Sequence, residues 1–329
     1  MYNSDRKFQF MDETGATEKE SLWISAAFKC TAILENELNK DIALMTADEV
    51  SKALAASGVI SSITMANRIP LIVRYKNWCY DKGFETVLVR SGDIHVDMSE
   101  NIRDTMVFSP SHLARVVNQS FPDSGPKSSA CIYRAYIWFA FAGMYPEDAA
   151  SVRVSDVDLN RKMVSYNNRW YELKDEGIRD IRRACKLNEF IRERNGKQIL
   201  FKREDNDRVL RGRKLKKEIP VSSYVRSTLR PRIQLGFSNA GYGGMSFLRV
   251  RRSGIFYEML SRELKGFEVN FYTIAYDDFD YGHRNEDVTP TRKSLRRSIL
   301  MYERDYESWK KAFACDLMQE FKSAKIPGI

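Results

Sequence analysis

The sequence contains clusters of arginine and lysine whose spacing indicates the binding of phosphates. The segment 61–83 shows apolar residues at helical spacing and carries three cations among its polar positions: Arg68, Arg74 and Lys76. A second basic stretch runs from Lys202 to Lys217 and includes Arg211, Arg213 and Lys214. Cationic side chains displace counterions from a polyanion, so both clusters are candidate phosphate contacts. For the second stretch, a solvated loop is an equally good interpretation.

The overall charge agrees with a polyanionic partner. The chain of 329 residues has 53 Lys and Arg against 44 Asp and Glu, a net charge of +9 and an isoelectric point near 9.2. Such a balance favours nucleic acid, although a merely basic protein would show it as well.

The sequence predicts neither a metal centre nor a bound cofactor. Its histidines are far apart and its five cysteines are widely spaced, without the paired spacing of zinc sites: His95, His112 and His283; Cys30, Cys79, Cys131, Cys185 and Cys315. The cysteines fit buried apolar positions in a reducing cytoplasm. The most apolar run, Ile132–Met144, is too short to span a membrane and is interrupted by Arg134. The N-terminus lacks the apolar region of a signal peptide, so we expect a cytoplasmic protein without a membrane partner.

Local signals divide the chain. Thr46 and Glu49 form a capping box that predicts the start of a helix. The stretch Phe121–Ser129 is rich in proline, glycine and serine and predicts a linker. The expected organisation is an N-terminal extension (1–45), a helical domain (46–120), a linker (121–129) and a larger domain (130–329).

Within the larger domain, an apolar helix is predicted over Ala130–Gly143. Two short strand-like runs between Met163 and Leu173 flank Asn167 and Asn168, and since asparagine tolerates positive φ, they predict a tight hairpin. Ile178, Ile181 and Cys185 then predict a helix that stops near 195–196.

Three segments resemble, in order, the signature boxes of the tyrosine recombinases (phage integrases). Gly143–Leu159 resembles the first box, but Tyr145 stands where the family carries a catalytic arginine. Ser246–Phe256 resembles the second, with Arg249 at the arginine position and Ser246 in place of the histidine. His283 matches the histidine of the third box. The resemblance covers roughly residues 46–306.

The resemblance implies a fold that is mainly α with a small β-sheet, in which a helical SAM-like core-binding domain accompanies a larger catalytic-like domain. The resemblance does not identify the nucleophilic tyrosine. Tyr302 could serve only after an insertion, and Tyr302, Tyr306, Trp309 and Phe313 also recur as the apolar stripe of one helix. The run from Trp309 to Phe321 could pack within the chain or dock on a neighbouring copy.

The resemblance further implies that strand cleavage is lost. The family stabilises the charge of the reacting phosphate with two arginines, a histidine and a lysine, and neither tyrosine nor serine supplies a guanidinium fork. The lysine is represented here only by Arg169 or Lys174. Misalignment, with Arg153 or Arg251 completing the site, is the alternative. We therefore expect no enzyme, and the positions Tyr145, Ser246, Arg249, His283 and Tyr302 are interpreted as vestigial.

The expected partner is double-stranded DNA carrying operator sites. The predicted contacts are Arg68, Arg74, Lys76, Lys174, Arg211, Arg213, Lys214, Arg249, Arg251 and His283. In length, layout and box substitutions the chain is similar to the lysogeny repressors of SPβ-like Bacillus prophages, which implies a repressor acting in the host nucleoid, as a monomer or weak homo-oligomer, with a possible phage-encoded regulator. A divergent active integrase and an architectural DNA-binding protein are the alternatives.

Overall fold

The computed structural model describes residues 2–194, 197–204, 206–213, 219–283, 286 and 288–322. They form two compact units, one of Met1–Ile102 with Phe271–Ala312 and the other of Arg103–Asn270 with Phe313–Ile329. Helices dominate, and the strands form small antiparallel sheets. The predicted fold class is confirmed.

The described helices are, in chain order, α1 (Ser4–Glu13), α2 (Glu18–Leu38), α3 (Ala47–Ala55), α4 (Ser62–Asp81), α5 (Ser99–Thr105), α6 (Pro110–Ser120), α7 (Ala130–Phe141), α8 (Pro146–Ser151), α9 (Asp175–Lys186), α10 (Val221–Tyr224), α11 (Arg230–Asn239), α12 (Phe247–Leu264), α13 (Tyr272–Gly282), α14 (Arg292–Ala312) and α15 (Ala314–Glu320). The strands are β1 (Val157–Asp158), β2 (Met163–Tyr166), β3 (Arg169–Glu172), β4 (Glu189–Arg194) and β5 (Lys197–Lys202).

The core of the first unit is built largely from aromatic rings of α1, α2 and α4. Phe10 makes edge contacts with Phe28, Tyr75 and Trp78, at ring-centroid distances of 5.4 to 6.1 Å. Residues 1–45, predicted as an extension, therefore supply part of a shared core.

The starts of two helices in this unit follow the sequence signals. The capping box of Thr46 and Glu49 begins α3, as predicted. The Ser61 side chain caps α4, whose apolar positions Tyr75 and Cys79 are buried, as the pattern of 61–83 predicted.

Helix α14 also belongs to the first unit. Its apolar stripe is buried at Tyr302, Tyr306 and Trp309. The backbone N–H and the hydroxyl of Ser62, at the start of α4, both donate to the Asp305 carboxylate. These contacts place 271–312 with the N-terminal helices, whereas the predicted border assigned them to a 130–329 domain.

The second unit has α7 at its centre, flanked by α9 and α12. Every residue of α7 from Cys131 to Phe141 is buried. Gly254 of α12 lies against the backbone of Phe141, because a Cβ there would fall 1.8 Å from the Phe141 carbonyl oxygen. A side chain at 254 would therefore force the two helices apart.

The sheets lie in the second unit. Strands β1, β2 and β3 form one antiparallel sheet, and the turn between β2 and β3 has positive φ at Asn167 (48°) and Asn168 (58°), which confirms the predicted hairpin. Strands β4 and β5 form a second hairpin. Helix α9 ends at Lys186, so the prediction of a helix reaching 195–196 was wrong.

The predicted linker 121–129 lies inside the second unit. Phe121 packs against Tyr133 and Phe237, and Asp123 forms an ion pair with Arg183. At the other end of the sequence, Phe313 and Leu317 are buried and Phe321 stacks on Tyr257, so this run packs within the chain. No helix among the described residues has the length and apolar character needed to cross a membrane.

Candidate nucleic-acid interface

Tyr145, which the resemblance predicts to stand at the family's arginine position, is paired with a neighbouring arginine. It is 6% exposed and precedes α8, while Arg251 of α12 is 7% exposed. The Arg251 guanidinium lies 3.7 Å from the centre of the Tyr145 ring, and its Nε donates to the Gly143 carbonyl at 2.9 Å. This geometry is a buried cation–π contact, which is strengthened by the loss of water. Arg251, predicted to contact DNA, is thus engaged inside the unit.

Ser246 and Arg249 lie together at the start of α12. The Ser246 hydroxyl accepts from the Arg249 backbone N–H at 3.4 Å and caps the helix. Ser246, which was predicted to replace a histidine, therefore has a structural role as a helix cap, for which serine is a preferred residue. The Arg249 side chain is half-buried.

Lys174 precedes α9 and is held by acidic neighbours. Its ammonium lies 2.9 Å from the Glu172 carboxylate and 3.5 Å from that of Glu258, and 18% of its side chain is exposed. Two carboxylates within ion-pair distance already neutralise this lysine, which therefore differs from a free phosphate-binding cation.

The remaining vestigial positions lie in the other unit. Tyr302 is 1% exposed, stacks on Phe271 and donates its hydroxyl to Asp278. His283 ends α13, stacks on Phe279 with ring centroids 4.1 Å apart, and places Nδ1 2.9 Å from the Phe279 carbonyl. The positions interpreted as vestigial are thus divided between the units, with Tyr145, Ser246 and Arg249 in the second.

The prediction that Lys76 contacts DNA is wrong. It is fully buried, and its ammonium donates to the carbonyls of Ile42, Ala43 and Met45 at 2.8 to 2.9 Å. Burial lowers the pKa of Lys76 to about 8, so the ammonium form persists at neutral pH. Lys76 closes the turn before α3, and a phosphate cannot reach it.

The other two cations predicted on α4 differ in their exposure. Arg74 is exposed, with its guanidinium 5.9 Å from the Phe10 ring centre. Arg68 is half-buried, and its Nη1 has no hydrogen-bond partner among the described residues.

The second basic stretch is mostly structural where it is described. Arg211 donates to the carbonyls of Asn206 and Leu187, at 3.0 and 3.2 Å. Arg203 is buried and donates to four carbonyls, and burial lowers its pKa to about 10. Arg213 is exposed, whereas Lys214 lies outside the described residues.

A basic face on α9 was missed from the sequence. Arg179, Arg182 and Lys186 are exposed and, among the described residues, have no ion pair or side-chain hydrogen bond. Their spacing of three and four residues puts them on one side of the helix. That spacing was readable beforehand, but only the apolar positions of this helix were used to predict it.

An open cavity adjoins this face. It has a volume of about 650 Å³, and its lining includes Arg182, Lys186, Lys127 and Arg183. Lys127 and Arg183 are paired with Glu189 and Asp123, respectively. The uncompensated charge at the cavity therefore comes from Arg182 and Lys186.

The first unit carries a comparable surface at the start of α14. Arg292, Lys293, Arg296 and Arg297 are exposed and free of ion pairs with other described residues. Arg292 and Lys293 lie in the first turn of α14, where positive charge is unfavourable for the helix dipole, so folding alone does not explain these two residues. Each unit thus carries exposed cations able to bind phosphates.

Comparison with known proteins gives one match to a protein family. Residues 1–81 match the family model of the MrpR N-terminal core-binding domain. The match covers α1 to α4, including the residues predicted as an extension. No curated protein matches the chain.

Proposed function

We propose that the chain is a sequence-specific repressor that binds double-stranded DNA and does not cleave it. The observation that carries the proposal is the match of residues 1–81 to a core-binding domain, a domain of the recombinase type. By this proposal the chain retains the DNA-binding scaffold, and the operators are those that maintain the lysogeny of an SPβ-like prophage.

The exposed cations support the DNA-binding part of the proposal. The cations on α9 and at the start of α14 form no ion pairs with carboxylates of the described residues. Such cations release counterions when they meet phosphates and position a duplex without reading its sequence.

The buried groups support the absence of cleavage. A reacting phosphate needs a free guanidinium and an accessible tyrosine hydroxyl. Here Tyr145 packs under Arg251, and Tyr302 is buried with its hydroxyl bound to Asp278.

The test compares binding to fragments of the encoding phage or host genome with binding to random duplex, at one fixed salt concentration. The same samples are examined for a covalent protein–DNA adduct. We expect tight, selective binding and no adduct. Equal affinity for all duplexes would contradict a repressor and favour an architectural protein, while an adduct would indicate a recombinase.

A further inference from the structure

Helix α2 carries an apolar face that the first unit leaves uncovered. Leu22, Trp23 and Ile33 are 67%, 57% and 55% exposed, and half-buried Ala26 and Cys30 lie between them. At 100° per residue these positions fall within one side of the helix, opposite the buried residues Ile24, Ala27, Phe28 and Thr31. The two ends of this face are exposed, while Cys30 at its middle also packs against the core of the unit. Exposed apolar side chains grouped in a stripe on one face, unlike scattered ones, mark an interaction surface.

The stripe has opposite charges at its two ends. Lys19 begins it and Glu37 ends it, on the same side of the helix. Neither has an ion pair with another described residue, and the Lys19 ammonium lies 5.4 Å from the ring centre of Trp23. Eighteen residues of helix separate the two charges by about 27 Å, so they cannot pair within one chain.

Apart from Leu22, the residues of the stripe are arranged symmetrically about position 28. Lys19 and Glu37 are equally distant from that point, as are Trp23 and Ile33, and Ala26 and Cys30. A second α2 lying antiparallel would therefore place Lys19 opposite Glu37 of the other copy. In the same way Trp23 would face Ile33, and Ala26 would face Cys30. We propose that α2 docks on α2 of a second copy of this chain, in antiparallel orientation about a twofold axis.

The side chains of this face suit contact with α2 of a second copy. A twofold contact requires one surface that is complementary to itself, which the charge pair and the apolar pairs provide. Small side chains at the centre, Ala26 and Cys30, allow the helix axes to approach closely, while Trp23 and Ile33 fill the space on either side. Lys29 lies at the edge of the face, where its stem can extend and keep the ammonium in water.

The first test measures mass in solution without DNA. One helix per copy buries less than the roughly 1,200 Å² of tight complexes, so we expect a dimer at about 10–100 µM protein. Ile33→Asp should give a monomer, whereas the control Leu88→Asp, at a residue 51% exposed outside α2, should leave the dimer intact. A wild-type monomer at these concentrations would overturn the proposal, as would an Ile33→Asp variant that still dimerises.

The second test determines orientation by charge exchange. Lys19→Glu or Glu37→Lys alone should weaken the dimer several-fold, because like charges then face each other. The double variant Lys19→Glu/Glu37→Lys should regain the wild-type dissociation constant. Failure of the double variant to recover would exclude antiparallel pairing.

Cysteine cross-linking tests the same register covalently. In a Cys315→Ser background, which removes the exposed thiol, Ala26→Cys should oxidise to a dimer linked to Cys30 of the second copy. Removing Cys30 as well should abolish most of this product. Ala56→Cys, at an exposed position directly after α3, controls for random collisions. A Cys30–Cys30 dimer formed without Ala26→Cys would indicate parallel helices and contradict the proposal.

These measurements do not depend on the proposed function, because no DNA is present. A monomer with selective DNA binding would refute the dimer alone, and a dimer without selective binding would refute the repressor alone.

Discussion

The Arg251 guanidinium covers the ring of Tyr145 at 3.7 Å and is anchored by the Gly143 carbonyl. The position predicted to correspond to a recombinase arginine therefore holds a packed aromatic side chain, and the nearby arginine faces that side chain. The contact joins α12 to the turn before α8, so Tyr145 contributes to packing.

The coupling of this pair can be measured by a double-mutant cycle. We expect Tyr145→Leu and Arg251→Met each to destabilise the protein, and their effects to be non-additive by about 0.5–2 kcal/mol, the range of a desolvated cation–π contact. Urea denaturation of the wild type, both single variants and the double variant gives the value. Strict additivity would show that the two side chains pack independently.

Tyr302→Phe tests the proposal that the chain does not cleave DNA. The change removes a buried hydroxyl that donates to Asp278, so we expect a loss of about 1.5–3 kcal/mol in the free energy of unfolding. DNA affinity should stay within about a factor of two, since a 1% exposed side chain offers nothing to a duplex. The readouts are denaturation, a binding titration and denaturing electrophoresis for adducts. An adduct formed by the wild type and lost in Tyr302→Phe would identify a recombinase.

Lys76→Met tests whether this cation serves folding. The substitution removes the ammonium donor from the carbonyls of Ile42, Ala43 and Met45. The Ile42 and Ala43 carbonyls keep the backbone N–H donors of Met45 and Val87. The Met45 carbonyl loses its donor, and an unsatisfied buried carbonyl costs about 1–3 kcal/mol. Arg74→Met, on the exposed side of the same helix, is the matched control and should cost little. Similar losses in both variants would contradict the structural role of Lys76.

Local signals in the sequence predicted much of the fold, because each depends on neighbouring residues only. The capping box at Thr46 and the turn at Asn167–Asn168 are of this kind. Placing 271–312 in the first unit depends on Ser62 meeting Asp305, a contact across 243 positions that no local pattern contains.

The candidate site was harder to predict, since charge alone does not show burial. Lys76 and Arg74 look alike in the sequence, yet one is buried under three carbonyls and the other is exposed. The same holds for Arg251, whose aromatic partner is more than a hundred positions away.

His112 should make the second unit sensitive to acid. Burial against Phe108 and Phe313 lowers the pKa of His112 to about 4, with Arg103 and Arg115 acting in the same direction and Asp316 opposing them. An unfolded histidine protonates near pH 6.5, so the unfolded state binds more protons below that pH. The stability that the neutral His112 contributes is therefore fully present above about pH 6.5 and is lost as the pH falls toward 4.

His112→Phe keeps an aromatic ring and removes the titration. We expect the melting temperature of the wild type to fall more than that of the variant between about pH 7 and pH 5. Parallel curves for the two proteins would mean that other groups determine the acid response.

The basic face of α9 gives a salt-dependent prediction for DNA binding. Changing Arg179, Arg182 and Lys186 to glutamine removes three cations that have no ion pair among the described residues. The slope of log K against log salt is negative, and each lost phosphate contact reduces its magnitude by about 0.9. The magnitude should therefore decrease by about 2–3 in the triple variant. Affinity for operator and random duplex should fall in parallel, because phosphate contacts carry no sequence information. Glutamine at Lys52, Arg262 and Lys265, exposed cations of α3 and the end of α12, is the control. An equal decrease in the control would show that net charge, and no particular face, determines binding.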